Sequence, residues 1–373
     1  MGCRVIAFYL PQFHPIPEND EWWGPGFTEW TNVARARPLF RGHHQPNLPG
    51  ELGFYDLRLA ETRAAQAELA RAYGVEAFCY WHYWFAGERL LERPFAEVLE
   101  SGEPDFPFCL AWANQSWMGI WHGAPGRLLK EQRYPGLEDV DAHFDALLPA
   151  FRDARYVRVD GLPLFVVFRP TELPDAPAFT GRWRELAAAA GVGGVHFVAF
   201  VDDPTWRPAD HGFDAAVIPV FEGSARAVRR TPTRKVTARL QLVSRDVVAS
   251  ARTIAGRPAV YDYDEVKVEN VFGGALRPDQ YPCVLPNWDN TPRSGRGGRV
   301  LQGATPAAFE RQARAAVRLL GDRPAERRLL FVKSWNEWAE GNYLEPDQRF
   351  GRGWLQALRS ATAEPARADG GDG

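Results

Sequence analysis

Two glutamates near the end of the chain are the residues best suited to chemistry. Glu337 and Glu340 lie three positions apart and follow Leu329–Val332, an apolar run with the length of a buried strand. Trp335 and Trp338 flank them, and burial among indole rings raises the pKa of a carboxylic acid. One acid can then donate a proton near neutral pH while the other works ionised. Such a pair, placed on either side of a glycosidic bond, is what glycoside hydrolysis requires.

Two other polar residues of this stretch have more than one interpretation. Asn336 either binds a sugar hydroxyl or caps the end of the strand, and the sequence favours neither role. Glu345, five residues beyond Glu340, is more typical of a surface position than of an active site.

The whole chain alternates between short apolar runs and helical segments. Such alternation predicts parallel strands joined by crossover helices, and eight strands predict a closed (β/α)8 TIM barrel. We expect one catalytic domain over residues 1–360 and a disordered tail over 361–373, which is rich in Ala, Gly, Asp and Pro. The predicted strands are 4–10, 75–80, 106–112, 163–168, 195–201, 213–220, 283–285 and 329–334.

Polar and aromatic residues follow nearly every predicted strand. The carboxyl ends of barrel strands form the face on which active sites are built, so these residues are candidates for substrate binding. A lone histidine is more often a core group, although His82 stands among four aromatic residues, and each tryptophan is equally suited to barrel packing. Asp202 and Glu222 are weaker candidates of the same kind. The candidates are Tyr9, Gln12, His14, Trp30, His82, Tyr83, Trp112, Asn114, Asn287, Trp288, Asp289, Trp335 and Asn336.

Composition narrows the class of protein. The net charge of -3 gives no reason to expect nucleic acid or an anionic membrane, whereas 14 tryptophans suit a protein that stacks sugar faces. No apolar run reaches the length of about 20 residues that spans a bilayer.

The start of the chain lacks a signal-peptide pattern and the four cysteines form no C-x-x-C pair, so we expect a cytoplasmic protein, a monomer or small homo-oligomer. No histidine pair has zinc spacing and no glycine-rich phosphate loop follows a strand, so neither a metal nor a cofactor is expected.

Several separate motifs resemble those of the WbsX-like family, which is related to glycoside hydrolase family 99, the endo-α-mannosidases and endo-α-mannanases. The resemblance extends from about residue 4 to 350 and implies a (β/α)8 barrel that acts on a bacterial polysaccharide. The motifs are AFYLPQFH at 7–14, WGPGFTEWTN at 23–32, QP at 45–46, YWHYW at 80–84, NWDNTPR at 287–293 and SWNEWAEG at 334–341.

The resemblance also implies a role for each glutamate in a retaining hydrolysis. Glu337 deprotonates the sugar 2-hydroxyl, which attacks C1 to form an anhydro-sugar. Glu340 protonates the leaving oxygen and later activates water. The bond is expected to be α-mannoside-like.

Two alternatives remain open. WbsX-like proteins also carry a glycosyltransferase label, and transfer in surface-polysaccharide assembly would need a nucleotide-sugar or lipid-linked donor. The run from Asp262 to Asp264 matches a D-x-D motif in spelling only. A non-catalytic glycan-binding barrel is the third possibility, which the intact glutamate pair disfavours.

Overall fold

Eight parallel strands form the centre of the computed structural model, which describes residues 2–119, 127–221 and 258–363. Each strand pairs with its neighbours in the chain. The last pairs with the first, with Arg4 opposite Leu329, so the sheet closes on itself. This confirms the predicted (β/α)8 barrel. The strands are β1 (Arg4–Tyr9), β2 (Ala77–Phe85), β3 (Phe108–Trp112), β4 (Leu162–Val167), β5 (His196–Phe200), β6 (Ala215–Pro219), β7 (Gln280–Val284) and β8 (Leu329–Val332).

Helices cover the outside of the barrel and the loops at its ends. Because both faces of the sheet are therefore covered, its strands are continuous apolar runs. The helices are α1 (Pro17–Trp23), α2 (Glu29–Arg35), α3 (Ala60–Ala72), α4 (Arg93–Ser101), α5 (Leu137–Arg152), α6 (Ala176–Ala189), α7 (Val268–Phe272), α8 (Thr291–Ser294), α9 (Pro306–Leu320) and α10 (Gly353–Thr362).

Short strands outside the barrel shape its loops. Ala259–Asp262 pairs in parallel with Arg299–Gln302. The remaining pairs are antiparallel: Glu88–Leu90 with β2, Arg158–Val159 with β4, Trp117–Met118 with Leu128–Lys130, and Asn336–Glu337 with Asn342–Tyr343.

Helix α9 begins at residues that suit a helix N-terminus. Thr305 is the N-cap of α9, and its Oγ1 accepts a hydrogen bond of 3.2 Å from the backbone N–H of Ala308. Pro306 occupies the first helical position, where its missing N–H costs nothing.

Two segments differ from the sequence expectation or lie beyond it, and the long connection from β1 to α3 contains helices α1 and α2. The second strand was expected to end before the aromatic run at 81–84, but β2 includes that run because it continues into the antiparallel hairpin with Glu88–Leu90. Helix α10 extends to Thr362, past the expected domain end at 360, whereas 364–373 lie outside the described residues. Within the described ranges, no helix is long and apolar enough to cross a bilayer.

Candidate active site

A cavity of about 710 Å³ opens at the carboxyl ends of the strands. Glu337 and Glu340 both line it, together with Lys333 at the end of β8. A volume of this size is typical of ligand sites. Four half-buried tryptophans also line it: Trp22, Trp23, Trp117 and Trp206.

A tight hairpin after β8 presents the two glutamates. Asn336–Glu337 pairs with Asn342–Tyr343, and the 3-10 turn Trp338–Glu340 lies between them. Ser334 anchors the start of the hairpin, since its Oγ accepts hydrogen bonds from the backbone N–H groups of Asn336 and Glu337 at 3.1 and 2.9 Å. The backbone of the hairpin, rather than a flexible loop, therefore sets where both carboxyl groups lie.

Gly341 ends this turn, and only glycine fits at its position. Its φ of 56° lies in the left-handed region, and a Cβ there would come within 2.9 Å of both the Cβ and the backbone N of Asp289. The backbone N–H of Asp289 donates a 2.7 Å hydrogen bond to the carbonyl of Glu340. A displacement of Asp289 would therefore also displace the turn that carries the two glutamates.

Gly341→Ala is expected to destabilise the fold by about 2–4 kcal/mol, from left-handed strain plus overpacking against Asp289. Gly351→Ala is the matched control, because Gly351 has a φ of 54° but nothing within 4 Å of the place that an added methyl group would take. It should cost only the strain, about 1–2 kcal/mol. Urea unfolding measures both, and equal losses would show that the contact with Asp289 is unimportant.

Glu337 is buried and titrates near neutrality. The residue is 7% exposed. Burial, together with the charge of Glu340, raises the pKa of its carboxyl group to about 7. Lys333 and Arg293 act in the opposite direction. Among the described residues, none donates a hydrogen bond to its Oε2. This oxygen is therefore a buried acceptor that no donor satisfies within the described part of the chain.

Glu340 is held by an arginine that it shares with a third carboxylate. Arg293 Nη1 donates to Glu340 Oε1 at 2.8 Å, while its Nε and Nη2 donate to Glu29 Oε1 at 3.0 and 2.6 Å. Glu29 Oε1 also accepts from the backbone N–H of Ala339 at 3.2 Å, and burial raises the Glu29 pKa. Helix α2, which carries Glu29, is thereby tied to the turn Trp338–Glu340.

Three buried carboxylates, Glu29, Glu337 and Glu340, influence one another in this cluster. Burial is the largest cause of the raised pKa of Glu337 and of Glu29, and repulsion from Glu340 adds to it in both cases.

Glu345, expected at the surface, is fully buried behind the hairpin. Its Oε1 accepts hydrogen bonds from Gln66 Nε2 at 2.6 Å and Trp335 Nε1 at 2.8 Å. Its Oε2 accepts from Tyr55 Oη at 2.8 Å and Trp338 Nε1 at 2.6 Å. Burial raises the Glu345 pKa to about 7, although the four hydrogen bonds offset part of that effect. The side chain buttresses both indoles that flank Glu337.

Gln12, Tyr83 and Trp288 are the predicted substrate-binding residues that the structure brings to the main cavity with the two glutamates. Asn287 and Asp289 instead line a separate cavity of about 310 Å³, and Trp288 borders both. The remaining predicted residues lie in the barrel wall or behind it.

Three of these residues point outward from the strands into the helix layer. Tyr9 Oη donates to Gln66 Oε1 at 2.6 Å, and Trp112 Nε1 donates to the carbonyl of Trp84 at 3.3 Å. The Nε2 atoms of His82 and His143 are 2.9 Å apart, and burial lowers the His82 pKa to about 3. Neighbouring side chains of a strand face opposite sides, so His82 and Tyr83 cannot both reach the cavity. The structure places Tyr83 there, and we assign His82 to packing.

Polar side chains at three other strand ends already make hydrogen bonds within the protein. Asn336 Oδ1 accepts from the backbone N–H of Leu10 at 2.7 Å and its Nδ2 donates to the carbonyl of Leu10 at 3.0 Å, so it is the strand-end cap. Asn114 makes the same two-way contact with the backbone of Arg169. Asp289 Oδ2 accepts from His43 and Gln45, and its Oδ1 from Thr291.

The last three predicted residues are packed behind the cavity. His14 Nδ1 lies 3.1 Å from the carbonyl of Pro11. The Trp30 ring lies 5.6 Å from that of Trp338, and Trp335 packs against Phe78. We propose no substrate contact for His14, Trp30 or Trp335.

Several residues that line the cavity or support its glutamates were not singled out from the sequence. Glu29 and Arg293 were inside two of the quoted motifs, but nothing local indicated that they meet. Lys333 had one available signal, because only four of the 44 basic residues are lysines. Asp202 does line the cavity, whereas Glu222 lies outside the described residues. Within 2–119, 127–221 and 258–363, no group of three or more His, Cys, Asp or Glu residues could hold a metal.

Two solved structures have the same overall fold. A glycoside hydrolase-like protein superposes with a TM-score of 0.59 at 14% identity, covering 98% of this chain and 95% of its own. The family 99 endo-α-mannosidase from Bacteroides thetaiotaomicron superposes with a TM-score of 0.52 at 16% identity, covering 96% and 95%. At such identities the likeness shows the fold alone.

Sequence relatives are more similar. The proteins named uncharacterized protein WxcX in Xanthomonas campestris pv. campestris strains B100 and ATCC 33913 are each 41% identical over 362 residues. The match covers 97% of this chain and 50% of the relative, so the chain spans about half the length of these proteins. The family model described as glycosyltransferase WbsX matches residues 5–358, and the chain therefore belongs to the glycosyltransferase WbsX family, whose chemistry concerns glycans.

Proposed function

We propose that this chain is a glycoside hydrolase that cleaves a glycosidic bond, of α-mannoside-like type, in a bacterial polysaccharide. The observation that carries the proposal is the hairpin after β8, which brings Glu337 and Glu340 to one cavity and leaves Glu337 Oε2 without a donor among the described residues. The half-buried tryptophans that line the same cavity support a sugar ligand, because indole faces stack on sugar rings.

The two glutamates have complementary roles in the first step. Glu337, as a carboxylate, takes the proton of the 2-hydroxyl while O2 attacks C1. The bond from C1 to the leaving oxygen breaks, and Glu340 gives its proton to that oxygen. A carboxylate whose conjugate acid has a pKa of about 7 is a better base than an ordinary glutamate, which suits Glu337 to this role.

The second step reverses these proton transfers. Water attacks C1 of the anhydro-sugar, Glu340 takes a proton from the water, and Glu337 returns its proton to O2. The carboxylates hold one proton before and after each step, so the buried cluster keeps its total charge.

Glycosyl transfer is the second candidate, and one feature of the cavity favours it. Besides Lys333, three arginines line the cavity, namely Arg169, Arg293 and Arg299, and guanidinium groups suit the phosphates of a nucleotide-sugar donor. The D-x-D run gives no further support. Asp262 caps a 3-10 turn and the exposed Asp264 pairs with Arg311, and neither lines the cavity.

A screen of bacterial polysaccharides for released reducing ends tests the proposal, with Glu340→Gln as the inactive control. Hydrolysis by the wild-type chain alone is the expected result. Calorimetry with uridine and guanosine diphosphates, on the same preparation, tests the alternative. Tight nucleotide binding without release of sugar from any polysaccharide would overturn hydrolysis in favour of transfer.

A further inference from the structure

Arg169 stands at the mouth of the main cavity, because it lines that cavity and is also exposed to solvent. It comes just after β4 and precedes Pro170, which restricts its backbone. The amide of the buried Asn114 holds that backbone on both sides: its Oδ1 accepts from the Arg169 N–H at 2.7 Å, and its Nδ2 donates to the Arg169 carbonyl at 2.9 Å. Tyr134 Oη donates in turn to the Asn114 carbonyl at 3.0 Å. The fold therefore fixes the point from which the Arg169 side chain starts.

An aromatic ring and an amide support the guanidinium of Arg169. Its Cζ lies 4.6 Å from the centroid of the Phe168 ring, and its Nε donates a long hydrogen bond of 3.4 Å to Gln115 Oε1. The Phe168 ring is itself packed against those of Trp81 and Phe200, with centroid distances of 5.2 Å to each. A guanidinium that is stacked and braced in this way loses less conformational freedom when it binds a ligand.

The outer nitrogens of this guanidinium have no partner in the described part of the chain. Neither Nη1 nor Nη2 of Arg169 donates a hydrogen bond to a described residue, and Arg169 forms no ion pair with one. These nitrogens present parallel N–H groups whose spacing matches the two oxygens of a carboxylate or of a phosphate. Hydrogen bonds from a charged donor to a charged acceptor are about twice as strong as neutral ones, so such a donor pair favours an anionic group over a sugar hydroxyl.

The other two arginines of the cavity are placed differently. Arg293 donates its hydrogen bonds to Glu29 and Glu340, so its guanidinium is already engaged by carboxylates. Arg299 is exposed like Arg169, but within the described ranges no ring stacks on its side chain and no side chain braces it. Arg169 is therefore the cavity arginine that is both held in place and without an anionic partner among the described residues.

We propose that Arg169 is a specificity-determining residue that binds an oxyanion of the ligand, a carboxylate or a phosphate, at the mouth of the cavity. Under the proposed hydrolase function, on which this reading rests, the substrate is an acidic polysaccharide that carries a carboxylate close to the cleaved bond. Under glycosyl transfer, the same guanidinium would take a phosphate of the donor. Binding of the oxyanion itself depends on neither activity.

Oxyanion binding can be measured without any turnover. The NMR resonance of the Arg169 Nε–H group is assigned by its loss in Arg169→Lys, and the wild-type protein is then titrated with sodium glucuronate. A saturable shift of that resonance is expected, whereas glucose, which lacks the carboxylate, should leave it in place. Uridine and guanosine diphosphates are the phosphate arm. A shift with glucuronate indicates an acidic glycan, a shift with the nucleotides alone indicates a donor phosphate, and no saturable shift with any of these anions would overturn the proposal.

The polysaccharide found in the reducing-end screen supplies the second test. Chemical reduction of its carboxyl groups to alcohols keeps every glycosidic linkage and removes the negative charge. For the wild type, KM should be at least about fivefold higher on the reduced polymer, as for the loss of a well-aligned charge-assisted contact at an exposed site. In Arg169→Gln, the two polymers should have nearly the same KM. A neutral substrate, or a preference for the charged polymer that survives in Arg169→Gln, would contradict the assignment.

Arg299→Gln is the matched control, because it removes the same charge from the same cavity without touching the braced guanidinium. It should keep the preference for the charged polymer, and equal losses in Arg299→Gln and Arg169→Gln would show a general attraction and overturn a site at Arg169. Thermal unfolding checks that both variants fold. A saturable glucuronate shift without any hydrolysed polysaccharide would uphold Arg169 and count against the hydrolase assignment. Hydrolysis of neutral polysaccharides alone would do the reverse, so the two failures are distinguishable.

Discussion

Glu337→Gln and Glu340→Gln are each expected to lower the turnover number by about 10³-fold or more while the barrel stays folded. General acid–base groups contribute about 10² to 10⁴ each, and an amide can neither accept nor donate the required proton. Because glutamine has nearly the same shape, the hairpin with Asn342–Tyr343 and the anchor at Ser334 should be preserved.

Initial rates on the polysaccharide found in the screen measure the effect, and circular dichroism checks the fold. Glu185→Gln is the matched control, since Glu185 is an exposed carboxylate on α6 whose side chain is 72% accessible. It should leave the rate unchanged. Turnover within tenfold of wild type in either Glu337→Gln or Glu340→Gln would remove that residue from the mechanism.

Glu345→Gln is expected to cost about 2–4 kcal/mol of unfolding free energy, although it only exchanges one carboxylate oxygen for an NH₂ group. Both carboxylate oxygens accept two hydrogen bonds, and two of the four donors are the indole N–H groups of Trp335 and Trp338. A glutamine amide supplies a single oxygen, so one indole would face an NH₂ group instead. The indole N–H can only donate, and a buried donor left unsatisfied carries the full desolvation cost.

A double-mutant cycle with Trp338→Phe isolates this effect. Phenylalanine removes the N–H and keeps an aromatic ring in contact with Tyr343, so Glu345→Gln should be less damaging in that background. Urea unfolding measures the four proteins. A loss below about 0.5 kcal/mol for Glu345→Gln alone would mean that the network is not strained by the change.

Activity should fall along with stability in Glu345→Gln. The two indoles flank Asn336–Glu337, and Glu345 is the residue that ties both of them to Tyr55 and Gln66. The hairpin that positions Glu337 and Glu340 therefore depends on a carboxylate that does not line the cavity.

The barrel and the position of the glutamate pair could be predicted from the sequence. Apolar runs, helix caps such as Thr305 and the polar residues after each strand depend on local composition and spacing, which the chain displays directly. The WNEWAEG run likewise showed two acids after a buried strand, and the structure brings both to the cavity.

The direction of individual side chains could not be predicted with the same success. His82 and Tyr83 are neighbours in β2, and the sequence alone does not show which of them faces inward. The pleat allows only one of them to do so, and the register of β2 with β1 and β3 determines which. The role of Asn336 was equally ambiguous in the sequence. In the structure, its side-chain amide makes two hydrogen bonds with the backbone of Leu10.

The charged groups around Glu337 and Glu340 are brought together only by the tertiary structure. Glu29 and Arg293 are 264 residues apart, and they meet because closure of the barrel brings α2 and α8 to the same turn. The placement of the Trp81, Phe200 and Trp288 rings around Lys333 likewise depends on segments that are distant in sequence, as does the burial of Glu345. Residue type and spacing thus identify the two acids, whereas their protonation is decided by charges and burial that exist only once the sheet has closed.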